Sequence, residues 1–136
     1  MNIIIVGGGQ IGSHVAELLL AAGFQVTVID VRDVALATLR QVAPGAVVVR
    51  GSGTRSAVLE AAGAGSADIL CAVTGADETN LVIATLAKFE FGVARVLARV
   101  NNPRNRWLFE TDLGVDQVVN QGEVMARLVV AEIERD

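Results

Sequence analysis

The sequence predicts an α/β fold, a doubly wound parallel sheet with helices on both faces. Three observations carry this. The chain opens on a β-branched run, Asn2-Ile3-Ile4-Ile5-Val6, without the polar alternation of a half-exposed strand, so the strand is buried on both faces. Gly7, Gly9 and Gly12 then form G-x-G-x-x-G and lead into Ser13 to Leu20, where Ile11, Val15, Leu18 and Leu19 recur at helical spacing. From there onward, short apolar runs alternate with helical patterns, without a linker or a low-complexity tract. Right-handed crossovers then give the strand order 3-2-1-4-5-6 of the Rossmann type.

Each element has a local reason. Gly23 stops the first helix, and Gln25 to Asp30 is the second strand. A helix from about Arg32 to Val42 turns Ala35, Leu39 and Val42 inward and ends before Pro44-Gly45. Ala46 to Arg50 is the third strand. Thr54 is placed to cap a short helix over Arg55 to Ala62, stopped by Gly63. Asp68 to Val73 is the fourth strand, and Asp77 opens, as a cap, a helix running to about Phe91. Ala94 to Arg99 is the fifth strand. Asn102-Pro103 places a cap and a first-turn proline ahead of a helix to about Thr111. Gln117 to Val119 is a short last strand, followed by a helix from about Gly122 to Glu134.

The 136 residues make one domain with a proper core. Apolar residues make up 52% and charged residues 19%, which excludes disorder. Mean hydropathy is high, +0.52, yet charges or glycines interrupt every stretch long enough to span a bilayer, so no direct membrane insertion is expected. Met1 leads straight into the first strand, leaving no room for a signal, and the single Cys71 suits a reducing compartment. A cytoplasmic location follows as an expectation. A net charge of −4, with scattered arginines and one lysine, Lys88, argues against a nucleic-acid surface. His14, the one histidine, reads as a helix-surface residue, so neither a histidine-built zinc site nor a His-based catalytic pair is expected.

The glycines carry chemistry. Gly7 permits the tight turn, Gly9 lets backbone approach a pyrophosphate, and Gly12 lets helix and strand pack closely. N–H groups near Gln10 and Ile11 then point at an anion along the helix dipole. Asp30 ends the second strand 18 residues past Gly12, where a carboxylate accepts ribose hydroxyls; Val31 and Arg32 adjoin it. A 2′-phosphate there meets like charge, which favours NAD or an ATP-type ribose over NADP. Arg32 is able to neutralise such a phosphate, but reads first as an exposed residue of the first helical turn. Gly51-Ser52-Gly53-Thr54 ends the third strand at the same edge, leaving room for a flat base. Thr74-Gly75 does the same across the crevice, and Arg99 is the cation placed to reach a distal phosphate, or else an ion-pair residue.

The glycine motif, Asp30, Gly51-Ser52-Gly53-Thr54, the run Ala72 to Asn80 and Ala98-Arg99-Val100 together resemble the RCK N-terminal family, also called KTN or TrkA-N domains. The match spans essentially the whole chain, and Asp77-Glu78-Thr79-Asn80 is far more distinctive than the glycines. The resemblance implies a Rossmann domain that binds NAD(H) or an adenine nucleotide (ATP, ADP or AMP). It also implies pairing into a homodimer or higher ring, and regulation of a membrane-embedded potassium channel or transporter from the cytoplasmic side of the inner membrane. Many members carry arginine where Gln10 stands and an acid where Ser52 stands. Fuller members add a C-terminal ligand-binding domain, for which the 136 residues leave no room.

The alternative is an NAD-dependent oxidoreductase or its cofactor half. Such an enzyme needs a substrate pocket and a positioned acid or base; the elements consume the chain, and there is no tyrosine and no second histidine. Cys71 reads as core and Lys88 lies away from the strand ends. A structural dimerisation domain leaves the glycines and Asp30 unexplained. The fourth and last helices look too apolar for one small domain: Leu81 to Ala84 with Leu86-Ala87, and Met125, Leu128, Val129 and Ile133 flanked by Val124 and Val130. Each reads either as a subunit contact or as a helix buried against the sheet.

Overall fold

Six parallel strands form one sheet in the order β3-β2-β1-β4-β5-β6: β1 Asn2–Val6, β2 Gln25–Asp30, β3 Val47–Arg50, β4 Ile69–Ala72, β5 Arg95–Arg99 and β6 Gln117–Val119. This computed structural model describes residues 1–135. Ile3 to Val6 of β1 are all buried, because β1 lies between β2 and β4 with side chains packed on both sheet faces. On one face Ile3, Ile5, Val26 and Val28 meet Ala16 of α1 (Gln10–Ala21) and Leu36 and Leu39 of α2 (Asp33–Val42). On the other, Ile4, Val6, Leu70, Ala72, Val96 and Ala98 pack with Leu59 of α3 (Ser56–Ala61), Ile83 and Ala84 of α4 (Asp77–Thr85), and Phe109 of α5 (Arg106–Phe109).

The register carries the first face outward past β1: Ile5 lies beside Cys71, and Cys71 beside Leu97. There Ile69, Cys71, Leu97 and Val119 are half-buried. The last helix, α6 (Gln121–Ile133), has no buried residue.

Several expectations are corrected. In α1 the buried positions are Gly12, Ser13 and Ala16, while Leu18 faces solvent: close approach to the sheet selects the small side chains. In α2 Leu36, not Val42, joins Ala35 and Leu39 inside. Thr54 does not cap α3; its hydroxyl pairs with that of Ser52 at 2.7 Å, and α3 starts from Arg55 without a side-chain cap. Asp77 is the first helical residue of α4 rather than its cap. That helix ends at Thr85 and continues as a π-helical turn, Leu86–Glu90. Ile83 and Ala84 of α4 and Ala87 of the turn are buried, so this stretch is mainly core, with Val82 and Phe89 exposed. The run after Asn102 is a short 3-10 turn, Pro103–Asn105, then α5, and Asn102 caps it as expected by accepting from the Arg104 N–H.

Candidate functional site

The carboxyl ends of β1, β2, β3 and β4 converge where the strand order reverses, and the turns that leave them enclose a cavity of about 600 Å³. That size suits a nucleotide-sized ligand, since such pockets run from ~300 to 1,000 Å³. The glycine turn forms its floor. Gly7 sits at φ +113°, donates its N–H to Ile29 O at 2.9 Å, and comes so close to β4 that a Cβ there would lie 3.0 Å from Thr74 N. A Cβ on Gly12 would lie 1.7 Å from Gly7 O, so only glycine permits this crossing of helix and turn. Gly9 is the N-cap of α1, and Gln10, Ile11 and Gly12 line the cavity with the first-turn N–H groups that no helical carbonyl accepts. The turn is locked from behind by Ser13, whose buried hydroxyl donates to Gly8 O at 2.8 Å.

Asp30 stands at the end of β2, 6% exposed. Its Oδ2 accepts from Gly8 N–H at 2.7 Å and Arg32 Nη2 at 3.0 Å. Its Oδ1 accepts from Arg32 N–H at 2.8 Å and Arg32 Nε at 3.1 Å. Burial pushes the carboxyl up, but the Arg32 guanidinium and the two backbone N–H groups outweigh it and hold Asp30 below the usual carboxylate range. Arg32 is therefore not a free surface residue: its side chain forks onto Asp30 while lining the cavity.

The far wall is set by Asn80, which is fully buried. Its Oδ1 accepts from Thr74 N–H at 2.9 Å and the Thr74 hydroxyl at 2.6 Å; its Nδ2 donates to Thr74 O at 3.0 Å and Arg99 O at 2.9 Å. One amide thus fixes the loop after β4 to the end of β5. Asp77 fixes the next loop in the same way, accepting from the N–H groups of Asn101 and Asn102 and from the side-chain amides of Asn101 and Asn105. Burial opposes its charge, and these donors more than compensate, so its carboxyl lies below the usual range. The Arg99 side chain lines the cavity and reaches Gln121 Oε1, at the start of α6, at 3.4 Å.

All thirteen residues that the sequence marks (Gly7, Gly9, Gln10, Ile11, Gly12, Asp30, Val31, Arg32, Gly51, Ser52, Thr74, Gly75 and Arg99) line this one cavity. Ala76 and Thr79 line it too, without having been marked, and so does Gly53, which the sequence offers as room for a flat base. A Cβ on Gly53 would fall 2.6 Å from Val6 Cγ1, a packing demand that no periodicity reveals. The supporting amide of Asn80 had its signal in the Asp-Glu-Thr-Asn run, though not its role. The ionisable side chains of the lining are Asp30, Arg32 and Arg99. Cys71 lies in β4, and burial pushes its thiol up to about 11, so it stays protonated. His14 is exposed on α1, and Lys88 pairs with Asp116 at 2.8 Å. Among the described residues no cluster of His, Cys, Asp or Glu is arranged to hold a metal, and no helix is long and apolar enough to cross a membrane.

Comparison with known proteins agrees with this architecture. The chain is 36% identical over 129 residues to the Trk system potassium uptake protein TrkA of Mycobacterium tuberculosis, covering 95% of this chain and 58% of that protein. It therefore spans little more than half the length of that curated relative. The TrkA-N domain of the inner membrane protein ybaL from Escherichia coli shares the fold, with a TM-score of 0.84 at 23% identity over 98% of this chain and 96% of that one. A structure of GsuK bound to ADP superposes with a TM-score of 0.76 at 28% identity, over 98% of this chain and 34% of that one. The model of the TrkA-N domain family matches residues 3–121, nearly the full sheet, and the chain belongs to that family.

Proposed function

We propose that this chain is a nucleotide-sensing regulatory domain of a potassium transport system, without catalysis of its own. The observation that carries the reading is the cavity over the glycine turn, with Asp30 at one side and the Thr74-Gly75 loop at the other. An adenine nucleotide, NAD(H) or ATP, ADP or AMP, fits it with phosphates over Gln10 to Gly12 and ribose on Asp30. Potassium transport is supported by the TrkA relative, and adenine-nucleotide binding by the ADP carried in the GsuK structure. An oxidoreductase finds less support, because the lining offers Asp30, already paired, and two arginines, but no proton shuttle.

The domain works as a homodimer, or a ring built from dimers, on the cytoplasmic side of the inner membrane beside its membrane partner. The exposed apolar face of α6 forms the subunit contact. Arg99 links the cavity to that helix through Gln121. A nucleotide phosphate that draws Arg99 inward shifts the start of α6 and hence the neighbouring copy. A ligand biases two arrangements only by its difference in affinity for them, and about 1–3 kcal/mol makes a useful signal.

Calorimetric titration with NAD+, NADH, ATP, ADP and AMP tests the reading. Binding of at least one is expected, and Asp30→Ala should weaken it by roughly 1–3 kcal/mol. Unchanged affinity removes the ribose from Asp30. Inter-subunit spin-label distances with each nucleotide test the switch, and identical distances throughout would leave a nucleotide-binding dimer only. Turnover of NAD+ with any candidate substrate would revive the oxidoreductase.

A further inference from the structure

An ionised carboxylate offers about four lone-pair sites, and at Asp30 all four are taken. Two go to fixed backbone N–H groups, those of Gly8 and Arg32. The other two go to Arg32 Nε at 3.1 Å and Nη2 at 3.0 Å. A ribose presents two vicinal hydroxyls, and on a carboxylate they need two acceptor sites. The backbone donors cannot move without unmaking the turn, whereas the Arg32 side chain is 60% exposed and, among the described residues, its guanidinium bonds Asp30 alone.

We propose that Arg32 is an internal competitor for the ribose subsite: its guanidinium and a nucleotide's 2′,3′-diol exclude one another at Asp30. The inference rests on the nucleotide reading above and deepens it. A second hollow between α1 and α2 gives the displaced side chain somewhere to go. It is lined by Ser13, His14, Glu17, Thr38 and Arg32 itself, and Glu17 supplies a carboxylate there. The exchange replaces two charge-assisted N–H bonds with two hydroxyl bonds, so the domain is tuned toward modest affinity. A sensor that must release its ligand as concentrations change needs that property.

The test compares ADP with 2′,3′-dideoxy-ADP, by calorimetry, on the wild-type chain, Arg32→Ala, Arg32→Gln, Asp30→Ala and the double variant Asp30→Ala/Arg32→Ala. Arg32→Ala and Arg32→Gln should both bind ADP about three- to tenfold more tightly than wild type, as expected for removing a competing hydrogen-bond pair. Dideoxy-ADP should bind wild type and both single Arg32 variants equally, and removing Arg32 should change nothing once Asp30 is alanine. ADP binding that is unchanged or weaker in the Arg32 variants overturns this inference alone, the weaker case making Arg32 a phosphate contact. Failure of ADP to bind wild type and every variant overturns the nucleotide reading and this inference with it.

Discussion

Gly12 is the residue on which the turn depends most directly. A side-chain carbon there would have to occupy space 1.7 Å from Gly7 O, so Gly12→Val forces α1 off the sheet. Denaturant unfolding should show a loss beyond the ~0.5–3 kcal/mol of an ordinary substitution. Asp77 gives the acid side of the stability profile. Its folded-state carboxyl lies below the unfolded value, so its contribution is complete above about pH 3.9 and disappears as pH falls through the lower, folded value. Asp30 acts in the same direction. Urea midpoints should therefore drop in acid, and Asp77→Asn should flatten that limb while lowering the unfolding free energy at neutral pH by about 1–3 kcal/mol. An acid limb of the same slope in Asp77→Asn would show that the four donors do not favour the charged form. Roles of this kind were only half legible beforehand. Asp30 announces itself by its distance from the glycines. That Arg32 folds back onto it, or that Asp77 serves a loop 24 residues downstream, depends on two strand ends meeting in space.

Strand bounds were the easiest to read, since β1, β2 and β6 are apolar runs cut off by glycine or a polar residue, and their ends fall where the residues change type. Helix faces were harder. In α1 the contact with the sheet is made by Gly12, Ser13 and Ala16, which carry almost no hydrophobic signal, while the larger Leu18 lies outside. The two over-apolar helices also separate only in three dimensions. In α4 and the π-helical turn that continues it, the excess is absorbed by the core through Ile83, Ala84 and Ala87. In α6 it is not: Leu128 is 61% and Ile133 76% exposed, with Met125 beside them. Apolar helix surface of this extent requires cover. Leu128→Glu should turn the expected dimer into a monomer in sedimentation equilibrium while leaving the helical circular dichroism unchanged. A dimer that survives the charge places the contact elsewhere.

Across the whole molecule the halves of the sheet are finished differently. The β1-β2-β3 half has α1 and α2 on one face, whereas on that same face the other half leaves Ile69, Cys71, Leu97 and Val119 half-buried. Polar ties compensate there: Asn80 joins the β4 loop to β5, and Asn120 joins β5 to α6 by donating to Val100 O at 2.9 Å and capping the helix. The first half is thus packed on both faces, whereas the second is packed on one face through Leu70, Val96, Ala98 and Phe109 and tied by amides at its strand ends, a contribution that hydrophobic pattern does not reveal. An open sheet also has two ends, and β3 forms one of them. Its outer row of backbone groups faces away from β2 along Val47-Val48-Val49, with Arg50, paired to Asp33 at 3.2 Å, as its only charge. Such a margin is a template for other chains, and solubility under stress should be governed there rather than by the core. Val47 is 61% exposed, so Val47→Lys should leave the melting temperature nearly unchanged. Light scattering on heating should then rise later and less steeply than in the wild type. Identical scattering curves would move the weak point of the folded chain away from its β3 margin.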